Sequence, residues 1–241
     1  MRTMTKMRTH PMLYDYNYCS LKITWRHYII LKISLEIVPL KFWILGVGEK
    51  PFESMFPNCH YVGIDFTKDG TKADQIVDLN HESIPYGDEE FDVVIASESM
   101  EHIFNNLNVV SEIKRVVKKG GYIYMSTPFM FQEHGSPYDF FRFTQYYYKK
   151  MFGDCRLLRF SQSNTFVTTP LVLFSLVIHS FLSIHKFGIG KILMLPRYAM
   201  IFLCNCIGIV IDKILSKVHP SSYLGKRTHT GPISYCFLFQ K

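Results

Sequence analysis

Within ten positions, the stretch "EHGSPYDFFR" sets Glu133, His134, Tyr138, Asp139 and Arg142. An imidazole can take a proton from a hydroxyl near neutral pH, a carboxylate can hold its ring in one tautomer, and a guanidinium can meet an anionic group. We therefore take His134 as the candidate general base and Asp139 as its orienting partner. Phe129, Tyr138 and Arg142 are the candidates for holding an acceptor. The same residues fit a plainer role, in which His134 and Asp139 brace a surface loop and Arg142 pairs with it. A second group lies upstream. Gly46 and Gly48 let the backbone approach a ligand closely because neither has a Cβ. Asp65 follows Gly48 by seventeen positions, close to the roughly 20 at which a carboxylate meets a ribose diol in doubly wound folds. A lone Gly-x-Gly also occurs in ordinary tight turns, so the ordered series is the informative signal.

These groups need elements to hold them. "FWIL" (42–45), "YVGID" (61–65), "ADQIVDL" (73–79), "FDVVIAS" (91–97) and "GYIYMST" (121–127) are short β-rich runs, several almost wholly apolar, as strands buried on both faces are. Between the last two, Ile103, Leu107, Val110, Ile113, Val116 and Val117 recur at three- and four-residue steps, which predicts an amphipathic helix stopped by Gly120 and Gly121. Pro51 is placed to begin a helix after the glycine loop. A further helix begins near Thr144, "CRLLRFSQ" reads as a strand, and "ISYCFLF" as a last one. Strands alternating with helices imply a parallel sheet. On that scheme Asp65 and Asp78 end the second and third strands. The His134 segment then follows the fifth, at the carboxyl edge where open α/β sheets bind ligands.

Composition restricts the rest. The 241 residues, 48% apolar, can bury a full core and exclude a disordered or fibrous chain. Six cysteines without a C-x-x-C pair argue against a structural zinc site or disulfide framework, and no metal site is expected; a reducing cytoplasm is. The net charge of +7 is uneven: Glu49 to Glu101 carries 13 acidic and 3 basic residues, net −10, leaving +17 for the remainder. Carboxylates interleaved with strands suit loops at one sheet edge, and the basic remainder suits either a solvated surface or an anionic partner.

Four segments, "ILGVGEKPFESMFPNCHYVGID", "IVDLNHESIPYGDEEFDVVIASESMEHI", "EIKRVVKKGGYIYMSTPF" and "HGSPYDFFRFT", together resemble class I S-adenosylmethionine-dependent methyltransferases. They look most like the small-molecule (type 11-like) group whose signature runs D-x-G-C-G, G-I-D, L-P-F-x-D-x-x-F-D, E-x-x-E-H and L-K-P-G-G. The resemblance covers Phe42 to Gly153. It implies a Rossmann-like α/β fold, a mostly parallel seven-stranded sheet with helices on both faces, to which the apolar runs described below add a helical insertion before the last strand. It also implies S-adenosyl-L-methionine as cofactor. Gly46 and Gly48 would contact its methionine part, Asp65 the ribose, Asp78 and Leu79 the adenine, while Ser97 and Glu98 close the pocket. His102 has a place in the motif, but beside Glu101 at a helix start it reads as structural. Two positions depart from the pattern: Ile44 replaces the motif's Asp, and Lys119 replaces the Pro before Gly120. Losing one charge-assisted hydrogen bond at position 44 would weaken cofactor binding roughly ten- to a hundredfold; Ile44 also fits as an ordinary core residue.

From Phe160 to His185 the chain has no Asp, Glu, Lys or Arg, and a second apolar run covers Tyr198 to Ile211, with Pro196 and Arg197 interrupting at its start. The length suits a bilayer crossing, but the last strand must return to the sheet, and Lys186, Lys191 and Arg197 would face outward against the positive-inside rule. An interfacial helical subdomain touching an anionic membrane surface fits better. The expected organisation is an N-terminal helical segment over 1–40, the cofactor-binding core over 41–160, the apolar insertion over 161–218, and a loop with the final strand over 219–241. The expected function is methyl transfer to a small molecule such as a sugar or lipid-linked glycan intermediate, at the cytoplasmic face of the membrane. A noncatalytic cofactor-binding scaffold is the alternative. Nucleic acid is not the expected acceptor, since no Asn-Pro-Pro-Tyr-type motif is present.

Overall fold

The computed structural model of the protein describes residues 40–50, 53, 56, 59–165, 168–181, 194–215, 217 and 231–241. The expected helices over 1–40 and from Pro51, the residues Lys186 and Lys191, and most of the loop from His219 lie outside the described residues. Two compact units are present, one holding the described residues up to Ser161 together with Tyr235–Lys241, the other Gln162–Ser234.

Seven strands form one sheet: β1 (Lys41–Leu45), β2 (His60–Asp65), β3 (Gln75–Ile76), β4 (Phe91–Ser97), β5 (Val117–Pro128), β6 (Arg156–Gln162) and β7 (Ser234–Gln240), in the order β3-β2-β1-β4-β5-β7-β6. The β1–β2, β1–β4, β2–β3 and β4–β5 pairs are parallel. The start of β5 meets the end of β7: the Gly120 N–H donates to the Lys241 carbonyl (2.8 Å), and the Lys241 N–H to that of Gly121 (3.0 Å). β7 therefore runs against its neighbour, and the sheet is the mostly parallel, seven-stranded one that the resemblance implies. Trp43, Val94, Phe91 and Ile123 are fully buried on one face, with Val109, Val110, Ile113 and Val116 of helix α1 (Asn106–Val116) in the same apolar cluster.

Three local readings need correction. β3 is two residues long, because the Asp74 carboxylate, not a strand partner, takes the Gly63 N–H (2.7 Å), and a turn already begins at Asp78. Helix α1 ends at Val116, before Gly120. Val117 is extended and pairs with Phe91 at the start of β5, and the two glycines lie in a bulge where the register jumps from Phe91↔Val117 to Val93↔Tyr122. Leu107 is exposed and Val109 buried, because the helix starts only at Asn106. The Phe104 and Asn105 N–H groups are tied to the Asn80 side-chain oxygen, so Ile103 is not in phase with the helix. A short helix, α2 (Gln145–Met151), starts after Thr144 as expected and buries Tyr148, while Tyr146 stays exposed.

The second unit holds α3 (Thr169–Phe181) and α4 (Met194–Leu215), which pack on each other. Pro196 does not interrupt α4. It lies in the first turn, where its missing N–H has no intrahelical acceptor to satisfy. Among the described residues no helix is long and apolar enough to cross a membrane. Leu203, Ile207, Val210 and Ile214, at helical spacing along α4, are exposed.

Candidate active site

The strand order reverses between β1 and β4, and the loops leaving the carboxyl ends of these strands form the ligand-binding crevice of such sheets. The loop after β1 turns at Gly46, whose φ of +63° and contact with Ser99 exclude any side chain: a Cβ would lie 2.5 Å from the Ser99 Oγ. The Ser99 hydroxyl is itself fixed between the carbonyls of Leu45 (2.9 Å) and Ser97 (3.0 Å). Asp65, at the end of β2 and 9% exposed, accepts hydrogen bonds from the N–H groups of Gly48 (3.2 Å) and Phe66 (2.9 Å). Each carboxylate oxygen retains lone-pair capacity for a hydroxyl donor. The Asp78 carboxylate braces the next turn, accepting from the Asn80 N–H and amide (both 3.0 Å) and facing His81 Nδ1 (2.9 Å). The hydrogen bond with His81 is the largest influence holding its pKa below the usual carboxylate value. Leu79, in that turn, points into the core. At the end of β4 the Ser97 and Ser126 hydroxyls are 2.9 Å apart, and Glu98 takes a φ of +50° that costs strain in a side-chain-bearing residue. Ile44 is 4% exposed within β1, between Gly63 and Ile95 in register, as a core residue would be.

The segment after β5 closes on itself through Asp139 and Arg142. The guanidinium donates to both Asp139 oxygens (2.6 and 2.7 Å) and to the carbonyls of Phe131, Gln132 and Phe141, which commits all five of its N–H groups. Asp139, paired this way, has its pKa lowered to about 2. It also accepts the His134 N–H (2.8 Å), while its Oδ2 is 3.4 Å from His134 Nδ1. Arg142 thus braces the loop, leaving no donor for an anionic acceptor in this conformation. The Tyr138 ring packs on Phe66, next to Asp65, with centroids 5.4 Å apart. Phe129 packs on Tyr235 of β7.

The sequence reading missed Glu101 as a functional candidate. It sits with His102 in a 3-10 turn (Met100–His102) after β4, is fully buried, and neither of its carboxylate oxygens has a hydrogen-bond partner. Its Oε1 is 3.7 Å from the Nε2 of His102 and 3.7 Å from that of His134, and the two rings meet edge to face at 4.9 Å. Glu101 is the largest influence raising the pKa of His134, against partial burial. The signal was present in the E-x-x-E-H match, but a sequence cannot show that residues 101 and 134 face each other. Gly135, at φ +67°, makes the approach possible: a Cβ there would lie 3.1 Å from the His102 ring.

Residues 45–125 match the family model described as a methyltransferase domain. No curated protein gives a significant match. Among solved structures, coclaurine N-methyltransferase bound to N-methylheliamine and SAH is 12% identical, with 92% of this chain and 73% of that one covered at a TM-score of 0.54. A SAM-dependent methyltransferase from Archaeoglobus fulgidus is 14% identical, covering 89% and 94%, TM-score 0.50. The [4+2]-cyclase SpnF is 15% identical, covering 90% and 80%, TM-score 0.53. At such identities the likeness is one of fold, and the fold carries more than one chemistry.

Proposed function

We propose that this chain, a class I S-adenosylmethionine-dependent methyltransferase by its matched domain and its sheet, methylates a hydroxyl of a small acceptor bound under the His134 segment. The glycine loop suits the cofactor, since Gly46 leaves no side chain in the turn and Asp65 keeps lone pairs for the ribose hydroxyls. Bound S-adenosylmethionine supplies a methyl group on a sulfonium, whose transfer discharges the positive charge. The protein's own part is alignment and proton removal. Gly46, Gly48, Asp65, Asp78, Ser97 and Glu98 border the cofactor, with the Leu79 side chain turned into the core beneath them; Phe129 and Tyr138 border the acceptor. His134 takes the acceptor's proton at Nε2, and Glu101, more than Asp139, makes that nitrogen basic. The observation that carries this reading is the His134–Glu101 pair, on a loop whose Tyr138 packs beside Asp65. Calorimetry with S-adenosylmethionine, followed by S-adenosylhomocysteine release with hydroxylated acceptors, tests it. Cofactor binding without turnover for any acceptor would favour the scaffold reading that Ile44 first suggests.

The acceptor class we favour is a sugar or lipid-linked glycan intermediate. Phe66, Phe104, Tyr138 and Phe140 are exposed at the site and suit an acceptor with an apolar part. The exposed stripe Leu203, Ile207, Val210 and Ile214, with Lys213 and Lys217 also exposed, supports attachment to an anionic membrane surface. Binding to anionic vesicles that salt reverses, and little binding to neutral ones, is the expected result; no affinity for either would remove the reason for a lipid-linked acceptor.

A further inference from the structure

The side chains of Glu101, His102 and His134 bring three metal-type donor atoms within 4.8 Å of one another. Their hydrogen bonds fix how each is presented. His102 Nδ1 lies 2.6 Å from the Tyr138 carbonyl, and His134 Nδ1 lies 3.2 Å from that of Gln132. A carbonyl can only accept, so both rings carry a proton on Nδ1 and, when neutral, a lone pair on Nε2. Both Nε2 atoms face Glu101 Oε1 at 3.7 Å, too far for a hydrogen bond. Glu101 is fully buried, with neither oxygen hydrogen-bonded, so a carboxylate and two imidazole lone pairs converge with no donor between them. Such a set is satisfied by a cation at its centre. Two ligands bound at about 2.1 Å lie roughly 3.0–3.5 Å apart, so a small inward movement completes the geometry. Backbone carbonyls holding the far nitrogens are the usual outer support of histidine ligands.

We propose that Glu101, His102 and His134 form a binding site for a divalent transition-metal ion of the zinc, cobalt or iron(II) class. Two imidazoles and one carboxylate suit these ions and leave further positions for water or an oxygen ligand. His102 and His134 are about one-quarter and one-third exposed, so the site opens toward solvent while Glu101 closes it from within. The site's role in catalysis rests on the methyl-transfer reading: a hydroxyl coordinated there gives its proton to water more easily, and His134 then acts as a ligand in place of a base. Binding of the ion does not depend on that reading.

The test uses the whole protein, stripped of metal with a chelator, with no cofactor or acceptor present. Zinc binding by calorimetry is expected at one site, and Glu101→Gln and His134→Asn should each weaken it at least tenfold, whereas His60→Ala, on the exposed start of β2, should not. Cobalt should give ligand-field absorption without thiolate charge-transfer bands, which separates this site from the cysteines. Circular dichroism checks the fold of each variant. Should Glu101→Gln unfold, His134→Asn decides, because its side chain is partly exposed. Absence of stoichiometric uptake by the folded parent, or equal uptake by parent and His134→Asn, overturns the proposal. Because methyl transfer is assayed separately, its failure leaves the metal result standing.

Discussion

The cofactor loop and the His134 segment are held by opposite means. Around Gly46 and Gly48 the bonds start from backbone N–H groups: Val47 N–H donates to the Ile64 carbonyl (3.2 Å), Lys72 N–H to that of Gly48 (2.7 Å), and Gly48 N–H to the Asp65 carboxylate. Around His134 the bonds run from ionisable side chains to carbonyls, with Arg142 and Asp139 as the central pair. Geometry at the first region follows from the sheet and should change little with conditions. The second depends on charge states, so it should respond to pH and to single substitutions. On the roles proposed above, binding of the cofactor and deprotonation of the acceptor are thereby separable.

The largest expected effect probes the sheet beneath the first region. Ile44→Asp would bury a carboxylate between Gly63 and Ile95, at a cost of several kcal/mol. Melting should fall by about 10 °C or more, without tighter cofactor binding. A folded variant with a lower Kd for S-adenosylmethionine would show that the loop lacks, and can use, the motif acid.

Next is Arg142→Ala, which leaves the Asp139 side chain, 2% exposed, without its guanidinium. The cost is about 2–4 kcal/mol at the segment. Turnover should drop at least about tenfold while the cofactor Kd stays within about threefold. Equal losses in both would mean that the two regions are one.

Asp65→Ala addresses the cofactor alone. Removing it should raise the Kd for S-adenosylmethionine about ten- to a hundredfold, and Asp69→Ala should change it little. Similar effects from the two substitutions would move the ribose site elsewhere.

The smallest effect is a shift in a pH profile. Glu101 raises the His134 pKa above the ordinary 6.5, so on the proposed role of His134 as base, turnover should rise only at higher pH. Glu101→Gln should move the acid limb of the rate profile to lower pH. For stability the signs are opposite within one segment. The His134 contribution is full below the ordinary value and is lost as pH rises through the raised one. That of Asp139 is full above 3.8 and is lost as pH falls through about 2. An unmoved acid limb in Glu101→Gln would remove Glu101 from the proton path.

The strands were legible because β1, β2, β4 and β7 are apolar runs whose length and flanks leave little choice. The placement of Asp65 and the glycines at the ends of β2 and β1 was legible because it is set by position along one local unit. What escaped depended on distant partners. Asp74 shortening β3, the phase of α1 set by Asn80, and the meeting of Glu101 with His134 each require chain segments that periodicity does not connect. The pairing of Arg142 with its own loop was legible as the plainer of two readings, but its individual acceptors were not, since they are chosen by the folded loop.

β7 occupies the place between β5 and β6, yet it arrives in the chain long after both. The Gln240 side chain bonds to the Gly120 carbonyl across 120 positions. Pairing β1 with β4 or β4 with β5 closes much shorter loops, so those strands can assemble early, whereas β6 has to wait for β7 before it joins the sheet. Closing so long a loop adds little to the equilibrium cost but much to the time. During that interval the outer edge of β5 stands unpaired, with apolar residues above and below it. In a crowded cell this half-built sheet is the species most exposed to wrong partners, and the one a chaperone would have to shelter.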